Sequence, residues 1–336
     1  MSESAALSEP EALRRPRRRL PDPAALAPFA ALALLVVLGV LLNPRFIALE
    51  NIVNVVTRAS MVAVIGIGAT FVIAAGGLDL SVGSMSAFVG AAGILLANTL
   101  APHGFALALL VGAGAMVVGG ALCGLANGVV ITAGRLEAFI VTLGSMGIFR
   151  ALVTYLAQGG SVSLDPDAMQ DLARPVYFGT LAGIPVPVLV FLGLAVVASV
   201  VLHRTPFGRH CVAIGANEEV ARYSAVAIGR VRTVTYVIQG ACVGIATLLY
   251  VPRLSSVTPT SGLLWELEAI TAVVIGGTPL RGGSGRVWGT VAGALVLEVV
   301  ANIMVLSNFV SEYLIGAVQG VIIIVAMLVQ RSLRRN

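Results

Sequence analysis

Charged residues inside apolar stretches are the first place to look for chemistry in this sequence. Asp79 stands in GGLDLSVGSMSAF (76–88), where a Gly-Gly break separates two apolar runs and Ser81 and Ser84 open the second. A carboxylate there can accept backbone N–H bonds at the N-terminus of a helix starting near Leu80 and complement its dipole. An acid at or within a membrane is also costly enough to mark a path or gate. Arg58 and Arg150 fall inside apolar runs as well, with Glu268 and Glu298 as acids able to pair with them. Such charges pair or face water. The three histidines (His103, His203, His210) and three cysteines (Cys123, Cys211, Cys242) follow no metal-ligand or catalytic spacing, so no catalytic residue, metal site, cofactor or disulfide framework is read from them. All 21 basic residues are arginine. A phosphate-binding P-loop needs a lysine, so this chain is not itself a P-loop ATPase.

The elements that position these residues follow from composition. The chain has 336 residues, is 58% hydrophobic and 11% charged, and has a mean hydropathy of +0.98. Soluble domains carry about 25% charged residues, so most of this surface has to face lipid. The high isoelectric point then reads as arginines on the cytoplasmic side of a membrane, not as nucleic-acid binding. Spans need roughly 20 apolar residues, and ten candidates are found, at 25–43, 52–75, 81–100, 105–131, 137–157, 186–203, 233–252, 266–278, 287–305 and 312–330. The fold class is all-α, a polytopic membrane bundle of about ten helices with both termini cytoplasmic. An Arg-rich tail (1–24) precedes a transmembrane domain (25–330), and a short tail (331–336) follows. The first run is too long for a signal-peptide core and lacks a small-residue cleavage site.

Ten spans place sixteen arginines in inside loops, three in outside loops and two within spans, the asymmetry that sets orientation. Two loops are long: 158–185 outside, with Asp165, Asp167, Asp171 and Arg174, and 204–232 inside. Gly120, Gly124 and Gly128 recur every four residues, as do Gly285, Gly289 and Gly293, with Gly240/Gly244 and Gly316/Gly320 as shorter instances. This spacing lets helix backbones approach closely in lipid. GGLDLSVGS (76–84) and GGTPLRGGS (276–284) share five of nine positions at an offset of 200, a trace of the internal repeats common in transporters.

Three segments, taken in order, carry a resemblance. Gly76 to Ser84 form a GG-x-DLSVGS segment. Asn127 and Gly128 are followed by Phe139, Ile140, Thr142, Leu143 and Gly144. Glu266, Leu267, Ala269 and Ile270 precede Gly276, Gly277, Thr278, Leu280, Gly282, Gly283 and Gly285. Over residues 45–330 the sequence resembles the permease subunits of bacterial ABC importers for ribose-, xylose-, arabinose- and galactose-type sugars. The inside loop matches the family at Asn217, Glu218, Ala221, Arg222 and Ser224, but Ala225 stands where glycine is usual. Alanine favours helix over glycine by about 1 kcal/mol, so a slightly longer helix is expected there.

The resemblance implies an inner-membrane protein that moves a monosaccharide or related polyol inward. It implies a second permease subunit (the same chain or a different one), cytoplasmic ATP-binding subunits and a periplasmic sugar-binding protein as partners, in a lipid membrane and without nucleic acid. Asn217, Glu218, Glu219, Ala221, Arg222 and Ser224 form the expected ATPase-coupling surface, with Ala221 meeting a groove on the partner. Asp79, Ser81, Asn127, Arg58, Arg150 and Glu268 are the path or gate candidates. A branched-chain amino-acid ABC permease and a secondary transporter share this composition; the DLSVGS segment favours sugars, and the secondary transporter needs no docking helix.

Overall fold

With no water in a bilayer core to satisfy exposed backbone, a long apolar run spans it as a helix that bonds its own N–H and C=O groups, and most of this chain is helical. The computed structural model describes residues 23–168 and 174–307, with scattered positions between 314 and 324. The helices are α1 (Pro23–Leu42), α2 (Leu49–Ala74), α3 (Val82–Leu100), α4 (Phe105–Gly134), α5 (Ala138–Leu156), the short α6 (Pro166–Ala168) and α7 (Arg174–Phe178), α8 (Val186–Arg204), α9 (Pro206–Ala216), α10 (Glu218–Tyr223), α11 (Ile228–Leu254), α12 (Trp265–Ile275) and α13 (Val287–Ser307). Among the described residues, seven are long and apolar enough to cross a membrane: α2, α3, α4, α5, α8, α11 and α13. The apolar part of α1, Leu26–Leu42, is shorter than these. Most of the run at 312–330, residues 1–22 and the tail at 331–336 lie outside the described residues.

The run at 266–278 is corrected to an 11-residue helix. At 1.5 Å per residue it covers about 16 Å, roughly half of the hydrocarbon thickness. Its start is fixed by Gly262 and Leu264, both at positive φ, and its end by Gly277 at φ +86°. The preceding segment is extended: β4 (Ser256–Val257) pairs antiparallel with β1 (Val162–Ser163), matching Val162 with Val257. A second two-residue pair, β2 (Thr180–Leu181) with β3 (Ile184–Pro185), closes over Ala182-Gly183, both at positive φ as a tight hairpin turn requires. The all-helical expectation therefore acquires four two-residue strands among the described residues, three in the long loop and one in the segment before α12.

α2 is the axis of the bundle and α5 lies at its edge: 83% of the spanning window of α2 is buried, against 17% for α5. Val64, Ile65, Ile67 and Phe71 of α2 are almost fully enclosed, whereas Phe139, Ile140 and Ile148 of α5 point outward. The glycine spacing does what it predicted in α4 and α11. A Cβ on Gly120 would lie 2.2 Å from the Gly240 carbonyl oxygen, and one on Gly240 would lie 2.0 Å from that of Gly120. The two backbones are in contact. Gly289 and Gly293 of α13 meet the Gly276 and Ala272 backbone of α12 in the same way, but Gly316 and Gly320 have nothing within 4 Å.

The repeated Gly-Gly segments end their helices with equivalent bonds. Gly76 N–H donates to Ile73 O and Gly77 N–H to Val72 O; Gly277 donates to Val274 O and Thr278 to Val273 O. The structural offset is thus 201, one residue away from the sequence match. The two turns lie together, with Gly283 N–H donating to Ala74 O at 3.0 Å.

Candidate functional site

Asp79 lies in the 75–81 linker between α2 and α3 and is 7% exposed. Its Oδ1 accepts from Ser81 N–H at 2.9 Å and from Ser81 Oγ at 2.6 Å. Because the helix begins at Val82, this is a side-chain turn spanning two residues and not a cap on the first helical N–H groups. The position expected for Asp79 is corrected accordingly. Asn127 of α4 donates to Ser81 Oγ at 2.9 Å and accepts from Ser145 of α5 at 2.6 Å. Asp79, Ser81 and Asn127 are therefore brought together in one network tying the linker to two helices. Tyr236 of α11 donates to Leu78 O at 3.1 Å and holds the same linker from the other side. Asp79 Oδ2 and Gln239 Oε1 are both buried without a hydrogen-bond partner, and both side chains line a small void with Glu266. An acceptor-only interior of this kind is expensive to leave unpaired.

Arg58 and Arg150 are placed apart from this network and from each other. Arg58 Nε pairs with Glu298 Oε1 at 2.7 Å, which selects Glu298 over Glu268 as its partner. Arg150 donates to the backbone carbonyls of Pro259 and, at 3.0 Å, Ser261, so it pins the extended segment before α12. Glu268 lines the same cavity as Arg58. That cavity, of about 850 Å³, lies between α2, α7, α11, α12 and α13, with Asn51, Tyr250, Arg253, Trp265, Glu298 and Asn302 in its wall. Tyr250 and Trp265 meet edge to face, with centroids 4.8 Å apart. The side chains of Asn51 and Asn302 donate to one another at 3.0 and 2.8 Å. Arg253 stands 5.9 Å over the Tyr177 ring.

The loop at 204–232 folds into α9 and α10. Thr205 accepts from Gly208 N–H and Pro206 opens α9; Asn217 accepts from Val220 N–H and opens α10. Glu218 pairs with Arg222 at 3.1 Å and with Arg232 of α11 at 2.9 Å. The Arg232 hydrogen bond, ahead of the other contributions, holds its carboxyl below the usual range. Ala221 is 2% exposed and packs with Ala75, Cys211, Ile214 and Val231. It faces inward, so the expectation that it meets a partner's groove is corrected. The outward residues are Asn217, Glu219, Arg222 and Ser224, joined by Val220 at 59% and Tyr223 at 90% exposure. Ala225 does not lengthen the helix. It sits at φ +58°, in the left-handed conformation that suits glycine. Behind α10, a Cβ on Gly215 would lie 2.0 Å from Ala74 O and 2.5 Å from Gly283 N. The end of α9 thus touches both Gly-Gly turns.

Sequence reasoning missed Tyr236, Gln239, Tyr250, Trp265, Asn51 and Asn302. Gln239 and Asn302 carried a usable signal, as polar residues inside apolar helices; the three aromatics carried none.

A multi-pass bundle with charged and aromatic groups lining a cavity between its helices has the architecture of a membrane transport protein. The family described as "Branched-chain amino acid transport system / permease component" matches residues 51–327. The chain is 35% identical to the ribose import permease protein of Haemophilus influenzae over 91% of this chain and 92% of the relative. It is 37% identical to that of Bacillus subtilis over 91% and 92%, and 32% identical to the L-arabinose transport system permease protein of Escherichia coli over 86% and 84%. No solved structure matches the chain. The chain belongs to this family, as a permease of the sugar-importing ABC type.

Proposed function

We propose that this chain carries a monosaccharide or related polyol into the cytoplasm, driven by ATP hydrolysis on a separate subunit. The observation that carries this reading is the near-full-length similarity to ribose and arabinose permeases. The arginine-rich end, with α9 and α10, is read as the cytoplasmic one, with both termini on that side. A second permease subunit and a periplasmic binding protein complete the importer. With no lysine in the chain for a P-loop, force enters through contact with the ATPase. The outward face of α10, with Val220, Arg222 and Tyr223, supports that contact, and the recess beside it is lined by Arg135, Glu137 and Glu218.

Tyr223→Asp tests the contact. It puts a carboxylate in place of an exposed aromatic at the contact, where a charge buried without a partner costs several kcal/mol, without touching the buried Ala221 side. The expected result is normal membrane abundance, loss of the co-purifying ATPase and loss of sugar uptake. Wild-type uptake with the ATPase retained would remove α10 from the contact. The family's own description names branched-chain amino acids, so labelled leucine belongs in the same assay; leucine uptake without sugar uptake would replace the sugar reading.

A further inference from the structure

The wall of the cavity opposite the arginine-rich end balances its charges. It holds Arg58 and Arg253 against Glu268 and Glu298, so its formal charges cancel and favour neither an anion nor a cation by net charge. Its polar groups come as adjacent donor and acceptor: the Arg58–Glu298 pair at 2.7 Å and the reciprocal Asn51–Asn302 amides. Neighbouring hydroxyls on a sugar ring present donors and acceptors in the same side-by-side manner. The Arg58 side chain is 51% exposed and Glu298 16%, so the guanidinium is the more accessible of the pair and the carboxylate backs it. Tyr250 and Trp265, set at 84°, form an aromatic corner. The negative face of such a ring attracts polarised C–H bonds, of which a sugar ring has a full face. The volume of about 850 Å³ is in the range of small-molecule sites, roughly 300–1,000 Å³.

We propose that this cavity is a carbohydrate-binding site within the single chain, with Tyr250 and Trp265 as the stacking corner and Arg58–Glu298 and Asn51–Asn302 as the hydroxyl-recognising groups. The site rests on the sugar-import reading and adds a place where the permease itself holds the sugar.

The chain has two tryptophans, and Trp288 lies at the start of α13, away from the cavity residues at its other end. Trp288→Phe therefore leaves Trp265 as the sole indole reporter. The full chain carrying this change, in lipid nanodiscs, is titrated with D-ribose, D-allose, L-arabinose and leucine, following fluorescence and heat in parallel. A saturable response to at least one sugar is expected, with leucine silent. Adding Glu298→Gln is expected to weaken that sugar at least tenfold while the thermal midpoint stays close to that of the parent. Silence of both readouts with every sugar overturns the site, as does a response to leucine alone or sugar binding indifferent to Glu298→Gln. Uptake by the assembled importer is measured separately, so a silent cavity beside active sugar uptake overturns this site and leaves the import reading standing.

Discussion

Along α11, Gly240 and Gly244 press one backbone against another, while ten residues beyond Gly240 the side chains of Tyr250 and Arg253 stand back around a cavity. The seam with α4 has no side chain to rearrange at its closest points. Every atom there is fixed by two helices that satisfy their own hydrogen bonds. Beside Tyr250 and Arg253, the cavity wall is held by side-chain pairs between α2 and α13, Arg58 with Glu298 and Asn51 with Asn302, and these have rotamers to exchange. One helix thus supplies a stiff joint and an adaptable lining. In a permease the joint keeps the bundle together in lipid, where apolar contacts alone give little reason for helices to associate, and the lining is left to meet a ligand.

The strongest way to break this contrast is Gly240→Leu. A Cβ there already falls 2.0 Å from Gly120 O. Overpacking costs about 1–3 kcal/mol where side chains can give way; backbone cannot, so more than that is expected, with the protein lost from the membrane on immunoblots. Asn302→Leu on the cavity wall is the control. It removes one amide pair, about 1 kcal/mol, and membrane abundance is expected to stay within about twofold of wild type on that scale. Equal loss in both variants would mean that the wall is as rigid as the seam.

Asp79, tied through Ser81 to Asn127 of α4, sharpens the comparison from beside the seam. Asp79→Asn keeps the oxygen that serves Ser81 and puts a donor where Oδ2 lacks a partner, so thermal stability is expected to hold or rise. Asp79→Ala loses both Ser81 bonds and is expected to cost about 1–2 kcal/mol. Sugar uptake is expected to survive in the Asn variant; its loss at unchanged abundance would show that the charge itself works in the path. The smallest effect is a gain. Ala225→Gly relieves a left-handed residue, about 1 kcal/mol, and is expected to raise the melting midpoint by a few degrees. An unchanged or lower midpoint would show that the α10 turn is not strained.

What could be read from the sequence was what acts over one or two turns. Glycines at i and i+4 announced a close helix contact because that spacing is one face of a helix, although nothing in it paired α4 with α11. Arg58 and Arg150 were legible as charges in need of partners, yet Glu298 lies 240 residues from Arg58, and the carbonyls that hold Arg150 leave no mark in side-chain identity. The inward turn of Ala221 was hidden because α10 has six residues, too few for an apolar period. Asp79 was read as a cap since its spacing suits one; where the helix starts, not the residue type, decided the bond it makes.

Gly215 meets the α2–α3 turn at Ala74 and the α12–α13 turn at Gly283, with no side chain between the three strands of backbone. A contact padded by side chains behaves as a spring, absorbing a small displacement by changing rotamers. This one behaves as a strut. A push on α9 would meet the backbone of both turns directly, with no side chain between to yield first. A methyl group at Gly215 would act as a wedge between α9 and the two turns.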